Sequence, residues 1–405
     1  MKTKYKILYL GDIPKKNNQG GAFTINFEFL KRINKDSSFE ITNIFPFFKN
    51  DQLLQYDFET IPIPIKYFRA KTWGDILAKY DFYFKFKKFI KQFLIENFDL
   101  IHIDTTTHPA LLIKNKPIVL FLHGSPKYKK GIKHLIRHPY ATLCEILEEK
   151  HFKKVIKKEN LKYIFINSEY SKNLIIKDFN LNNDLSNKII KIQLGANIER
   201  FELEKLEKEK CQKEILKKIN LDFDPKIIFL LFVGGFADYK NQDELIISLK
   251  EIIKIYPKTI LLLAGKPLNI YNKCKNLIAE LKLEKNVIIF PDLQGKELGK
   301  LFKATDIYIS ASTETFGISI VEALKTGLPV VCWDKGAIKE LFTNNEEGFL
   351  VNSRKDFIEK VLLLIQNSEL RQKMSLKAKQ TGEKYSWDNF YKEIIKYYLK
   401  ILEDK

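Results

Sequence analysis

Short apolar runs alternate along this chain with longer stretches in which apolar residues recur every three to four positions. In the first half the runs Lys6–Leu10, Glu40–Phe45, Leu100–Asp104, Pro117–His123, Tyr163–Asn167 and Ile189–Leu194 predict strands. Between them Gly21–Ile33, Tyr80–Asn97, Tyr140–Lys158 and Ser171–Asp178 predict helices. The second half repeats the scheme with strands at Ile227–Val233, Thr259–Ala264, Val287–Phe290, Ile307–Ser310 and Pro329–Trp333. These runs are apolar on both faces, as parallel strands covered by helices on each side must be. An α/β chain with two doubly wound, Rossmann-like domains in series is expected.

At 405 residues the chain exceeds what one core usually supports, which agrees with two domains. We place them at 1–200 and 201–385, with the boundary in the charged stretch Glu199–Asp224. Residues 386–405 form a last helix, Trp387–Leu402, whose Phe390, Ile394, Ile395 and Tyr398 share one face. That face has to pack somewhere, and the first domain is the expected place.

The most informative stretch is ETFGISIVE, Glu314 to Glu322, just after the run that ends at Ser310. Asp306–Ser310 has strand character, Ser312-Thr313 turn character, and Gly317–Thr326 helical character. A strand, a turn and a helix start in that order suit an anion, because the first N–H groups of a helix have no internal partner. Gly317 would let a phosphate approach the backbone closely. A carboxylate is a poor partner for phosphate but a good acceptor for hydroxyls, and Glu314 and Glu322 flank the helix start. A diphosphate with hydroxyls at both ends fits this pattern, and that describes a nucleotide sugar. The plainer reading is that glutamate near a helix start merely complements the helix dipole.

Charge separates the two halves. Residues 1–200 carry 35 Lys and Arg against 20 Asp and Glu, a net +15, whereas residues 201–405 carry 34 against 30, a net +4. The first domain is built to meet something anionic. Within it the segment Lys127–Lys158 interleaves Lys127, Lys129, Lys130, Lys133 and Arg137 with Tyr128, Ile132, Leu135 and Ile136. This suits an anionic membrane surface better than a plain solvated face. Nucleic acid is the weaker candidate, since no binding motif accompanies the charge. The longest apolar run, Ile227–Ala237, is about half of the roughly 20 residues a membrane span needs. The apolar stretch Ile7–Leu10 ends too soon at Gly11-Asp12 for a signal peptide. Four scattered cysteines (Cys144, Cys211, Cys274, Cys332) have no metal-like spacing and read as reduced thiols in a cytoplasmic protein.

Several segments in order now carry a resemblance. VGGFADYKNQDELI, LLLAGKP, NVIIFPDLQGKELGKLFKATDIYISAS, ETFGISIVEALKTGLPVV and EGFLV lie between Phe232 and Asn352. Weaker matches are Gly20-Gly21-Ala22, His123-Gly124-Ser125, SEYSKNLI at Ser168–Ile175 and LGANIERF at Leu194–Phe201. The set resembles the retaining GT-B glycosyltransferases, in particular glycosyltransferase family 4, over nearly the whole chain. The resemblance implies two Rossmann-like domains facing a central cleft, with the nucleotide-sugar donor on the second. It implies that Glu314 binds hydroxyls of the donor sugar and Glu322 the ribose. Thr315 and the backbone at Phe316 and Gly317 would hold the donor, and Lys240 would face the diphosphate. Gly20 and Gly21 would open the first helix toward phosphate or sugar, and His123 would lie near the sugar.

One departure stands out. The family usually reads F-V-G-R five residues before that lysine, and this chain reads Phe232-Val233-Gly234-Gly235, one cation short. No metal is required in this scheme; the only D-x-D, Asp222-Phe223-Asp224, is read as a turn. His102 and His108, at another strand end, read as core or rim histidines.

The sequence thus predicts a cytoplasmic glycosyltransferase, peripheral on the inner membrane face, that transfers sugar to a lipid-linked or glycan acceptor in surface polysaccharide assembly. It would use no cofactor beyond its donor substrate. A GT-B epimerase or phosphorylase, or a nucleotide-sugar-binding accessory subunit without turnover, are the alternative expectations.

Overall fold

Thirteen strands among the described residues make two sheets, and every pairing within them is parallel. In this computed structural model residues 4–15, 21–48, 51–52, 54–65, 76–92, 95–104, 107–127 and 139–404 are described. The chain divides into two units, Met1–Leu194 with Trp387–Lys405, and Gly195–Ser386.

The first unit holds β1 (Tyr5–Gly11), β2 (Phe39–Phe48), β3 (Thr60–Ile65), β4 (Leu100–Asp104), β5 (Ile118–Leu122), β6 (Leu161–Ile166) and β7 (Ile189–Lys191). Their order across the sheet is 3-2-1-4-5-6-7. Helices α1 (Gly21–Ile33), α2 (Ile76–Gln92), α3 (Pro139–Val155), α4 (Glu169–Phe179) and the single turn α5 (Asn183–Ser186) lie between strands. The second unit holds β8 (Ile228–Val233), β9 (Thr259–Gly265), β10 (Val287–Pro291), β11 (Ile307–Ser310), β12 (Val330–Trp333) and β13 (Gly348–Val351), in the order 10-9-8-11-12-13. Its helices are α6 (Lys208–Leu216), α7 (Gln242–Ile255), α8 (Tyr271–Glu280), α9 (Gly295–Ala304), α10 (Ile318–Lys325), α11 (Arg354–Gln366) and α12 (Ser368–Glu383). Both units are Rossmann-like, and in each the strand order reverses beside the first strand. That reversal opens a crevice at the carboxyl ends of β1 and β4, and of β8 and β11.

The last helix, α13 (Trp387–Glu403), belongs to the first unit. Its buried face sets Phe390 against Phe29 and Phe121, and the Tyr398 hydroxyl meets His102 Nδ1. The units divide after Leu194 rather than after residue 200, because the segment following β7 packs on the second unit. There the Ala196 N–H donates to Tyr385 O at 3.4 Å, and Phe201 stacks on Phe302 with centroids 4.9 Å apart.

Two strands escaped the hydrophobic pattern. β3 reads TIPIPI, and Pro62 and Pro64 have no N–H to give a ladder. It survives because it is an edge strand paired only to β2. β13 is four residues long, also at an edge, and Gly348 lets it close on β12: a Cβ there would lie 1.9 Å from Val330 O.

Candidate functional site

In the second unit the loops after β8 and β11 meet at the crevice. Gln242, the buried first residue of α7, donates Nε2 to Gly235 O at 2.9 Å and Gly234 O at 3.2 Å, which fixes the turn that β8 enters. Asn241 Nδ2 donates to Ala311 O at 2.9 Å, and Thr313 N–H to Tyr239 O at 2.9 Å. These bonds set Lys240 and Glu314 face to face, Nζ to Oε1 at 2.6 Å, with both side chains largely buried. The Glu314 backbone forms a parallel bridge with Gly336, and Ala337 N–H donates to Glu314 O at 2.8 Å. Gly336 has φ +74, and a Cβ on it would lie 2.1 Å from Glu314 O. Only glycine lets the two segments approach this closely.

Two residues further on, Phe316 is buried against the Tyr385 ring, so its side chain anchors the turn and only its backbone faces the helix start. Thr315 is exposed. Gly317 caps α10 with φ +107 and ψ +59, a conformation that admits glycine readily. The first N–H groups of α10 have no partner within the helix. On the second turn Glu322, 4% exposed, accepts from Arg200 Nη2 at 2.6 Å. Burial raises the Glu322 carboxyl above its ordinary value, against the opposing pull of Arg200 and Lys325. Beneath the helix start the buried Tyr308 hydroxyl bonds Ser319 Oγ at 3.0 Å.

The first unit carries a second cluster at the ends of β1, β4 and β5. His123 Nε2 lies 2.6 Å from Asp104 Oδ1, the last residue of β4. Burial pulls the imidazole down, but the Asp104 carboxylate outweighs it and holds His123 above its ordinary value. The Tyr9 hydroxyl lies 2.8 Å from Asn26 Oδ1 and 3.3 Å from Asp104 Oδ2, while Asn26 Nδ2 donates to Asp12 O at 2.8 Å. Asn26 so ties α1 to the end of β1. Beside it Lys15, 1% exposed, is held by Asp12 Oδ1 and Asp51 Oδ2, each at 2.9 Å, and by Pro46 O at 3.1 Å. Burial, opposed by Lys15, pushes the Asp12 carboxyl up to about 6.

The residues singled out from sequence therefore fall into two groups. Lys240, Glu314, Thr315, Phe316, Gly317 and Glu322 gather around one helix start in the second unit. His123 stands in the first unit, as does Gly21, the exposed first residue of α1. Gly20 lies outside the described residues, as does the 128–138 part of the basic segment. His102 is a core residue: burial, and His123 nearby, push it down to about 3, so it is neutral. His108 is sandwiched between Tyr83 and His151 with centroids 4.0 and 3.9 Å away. Asp224 pairs with Lys258 and accepts from Lys226 N–H, which makes the D-x-D a loop. Among the described residues no cluster of three or more His, Cys, Asp or Glu is arranged to hold a metal. The four cysteines are buried thiols.

Sequence reasoning passed over Asp104, Arg200, Gly336 and Lys15. A faint signal existed for Asp104, a carboxylate closing the apolar run LIHID at the ligand-binding end of a strand. Arg200, Gly336 and Lys15 had none, because Arg200–Glu322 and Lys15–Asp51 are 122 and 36 residues apart and α10 and β12 lie between Gly336 and Glu314.

Residues 212–381 match the family model of glycosyl transferases group 1. An uncharacterised glycosyltransferase of Methanocaldococcus jannaschii is 28% identical over 317 residues, covering 75% of this chain and 76% of its own length. Among solved structures, sucrose-phosphate synthase from Thermosynechococcus elongatus superposes with a TM-score of 0.76 at 15% identity, covering 99% of this chain and 100% of its own. Anabaena HepE in complex with UDP-glucose does so with a TM-score of 0.68 at 17% identity, over 98% and 99%. The fold is that of GT-B glycosyltransferase structures, and together with the family match it supports a GT-B glycosyltransferase.

Proposed function

We propose that this chain is a retaining glycosyltransferase that moves a sugar from a nucleoside diphosphate donor to a lipid-linked or glycan acceptor in cell-surface polysaccharide synthesis. The Lys240–Glu314 pair at the glycine-capped start of α10 carries this reading. It combines one cation and open backbone N–H groups for a diphosphate with a carboxylate that accepts sugar hydroxyls. The UDP-glucose complex of the similarly folded HepE supports a nucleotide sugar as the donor.

In the reaction the anomeric C–O bond breaks and its electron pair leaves with the nucleoside diphosphate. An acceptor hydroxyl forms the new bond to the sugar and passes its proton to an oxygen of the departing diphosphate. The charge that develops on the leaving oxygen meets groups already oriented toward it, the α10 N–H dipoles and Lys240, and this preorganisation is the main source of rate. Helix dipole and ammonium carry that charge in this scheme, so no metal is required by it. His123, whose imidazole the Asp104 carboxylate holds above its ordinary value, is the hydrogen-bond donor of the first unit in this reading.

The acceptor side rests on charge. The first 200 residues hold a net +15, which suits a phosphate-bearing acceptor or an anionic bilayer. Lys127–Lys158 is the docking segment of this reading; its described helix α3 also carries Glu145, Glu148 and Glu149, so the basic weight lies in its first third. Among the described residues no helix is long and apolar enough to cross a membrane. A peripheral position on the inner face of the cell membrane follows from the proposal.

The test is release of nucleoside diphosphate from a panel of nucleotide sugars, with and without a membrane lipid extract, beside a Glu314→Ala control. Release that needs the extract and vanishes in the control supports transfer. An isomeric product formed from the nucleotide sugar alone favours an epimerase, activity that requires inorganic phosphate favours a phosphorylase, and nucleotide binding without release favours an accessory subunit.

A further inference from the structure

Arg200 enters neither unit's expected chemistry, yet from the turn Glu199–Phe201 it reaches Glu322 of the donor-side helix α10. Its Nη2 meets Oε1 of Glu322, a carboxylate only 4% exposed, at 2.6 Å. The Arg200 side chain is 37% exposed, and its guanidinium covers the Phe201 ring at 4.9 Å. One of its five N–H donors is engaged by a side chain among the described residues. The other arginines of the unit are committed: Arg354 is bidentate on Glu244, and Arg371 caps the carbonyls of Leu364 and Ile365.

Position along α10 decides what Arg200 can reach. Glu322 stands five residues after Gly317, about 7.5 Å along the axis, and helical side chains lean back toward the N-terminus. The Glu322 carboxylate, and with it the guanidinium, is thus carried toward the helix start that Lys240 and Glu314 flank.

We propose that Arg200 binds the diphosphate of the donor nucleotide: it keeps its bond to Glu322 and turns its remaining N–H groups to the phosphates, supplying the guanidinium that Gly235 lacks. This rests on the nucleotide-sugar reading above. The existing bond to Glu322 and the stacking on Phe201 order the side chain before the ligand arrives, so less freedom is lost on binding. A planar fork that already holds one carboxylate oxygen retains a second edge for phosphate oxygens.

Calorimetric titration of the full chain with uridine, guanosine and adenosine, and with their monophosphates and diphosphates, tests this. The proteins are wild type, Arg200→Ala and Arg200→Lys. Arg200→Ala is expected to weaken diphosphate binding about tenfold or more while nucleoside affinity stays within about twofold, and Arg200→Lys to restore part of the loss. Retained nucleoside binding also reports that the variant is folded. Equal weakening of nucleoside and diphosphate would overturn the proposal and leave Arg200 as a support for Glu322. Tighter diphosphate binding in Arg200→Ala would overturn it too, showing that Arg200 only obstructs Glu322. Failure of the wild type to bind any of the nine ligands would instead sink the donor reading itself.

Discussion

Lys240 Nζ and Glu314 Oε1 stand 2.6 Å apart, although 74 residues separate them in the chain. They meet because β8 and β11 are neighbours and each loop leaves its strand at the same end. Each partner shields the other from burial as an isolated charge. Lys240→Met alone and Glu314→Gln alone should each destabilise the second unit by about 3 kcal/mol, the cost of stranding a buried charge. The double variant should recover most of that stability and none of the turnover, which should fall by about a hundredfold or more. Denaturant melts of the three variants beside turnover assays separate the two effects. Recovered turnover in the double variant would contradict a role in the reaction.

Gly336 controls Glu314 through the backbone. Gly336→Ala puts a methyl group where Glu314 O now lies, 2.1 Å away, at φ +74. Gly317→Ala, at φ +107, meets only the ends of Leu341 and Ile320 at 3.1 and 3.2 Å, which can yield. Both should cost about 1–3 kcal/mol of backbone strain, with Gly336→Ala the more damaging to donor affinity. The check is donor titration of both variants; an unchanged affinity in Gly336→Ala would show that the bridge does not place Glu314.

His123 gives a pH signature with a definite sign. Its native value is raised above 6.5, so its contribution to stability is fully present below 6.5 and is lost as pH rises through the native value. In Asp104→Asn the carboxylate is gone and burial alone acts, so the imidazole should titrate below 6.5 and its contribution should reverse sign. Proton NMR titration of the His123 ring in both proteins reads this directly. Equal midpoints would mean that Asp104 does not hold the charge.

Lys15 neutralises two carboxylates at the end of the first sheet. Asp12, raised from 3.8 to about 6, binds its proton more tightly in the folded state. That makes stability fall by about 3 kcal/mol as pH rises from 3.8 to 6. Lys15→Met removes the opposing cation and should push Asp12 higher, extending that fall to more alkaline pH. A loss of about 3–5 kcal/mol is expected near pH 8 and a smaller one near pH 5, from urea melts at each. A pH-independent loss would argue for lost packing alone.

The proposed membrane docking by the basic half predicts salt-sensitive binding. The chain should sediment with phosphatidylglycerol vesicles and not with phosphatidylcholine vesicles. Binding should weaken steeply as ionic strength shortens the Debye length from about 10 Å toward 3 Å. Equal binding to both vesicle types would point to an apolar contact instead.

The local pattern of the sequence determined much of this protein. Apolar runs such as Ile228–Val233 and Ile307–Ser310 are buried on both faces whatever surrounds them, so their spacing announced two parallel sheets. The glycine at 317 and the glutamates at 314 and 322 were legible because a strand, a turn and a helix start are set by residues close in sequence. β3 was hidden because its prolines contradict strand propensity, and only its place at the edge of the sheet makes them harmless. Lys240 was one lysine among many until the loop bonds at Asn241 and Thr313 brought it to Glu314. Asp104 on His123, Arg200 on Glu322, Gly336 under Glu314 and Lys15 between Asp12 and Asp51 were decided by tertiary structure alone. Charge pairing and close backbone approach depend on distances between strand ends, and the order in which strands assemble into a sheet is not written in any local stretch of chain.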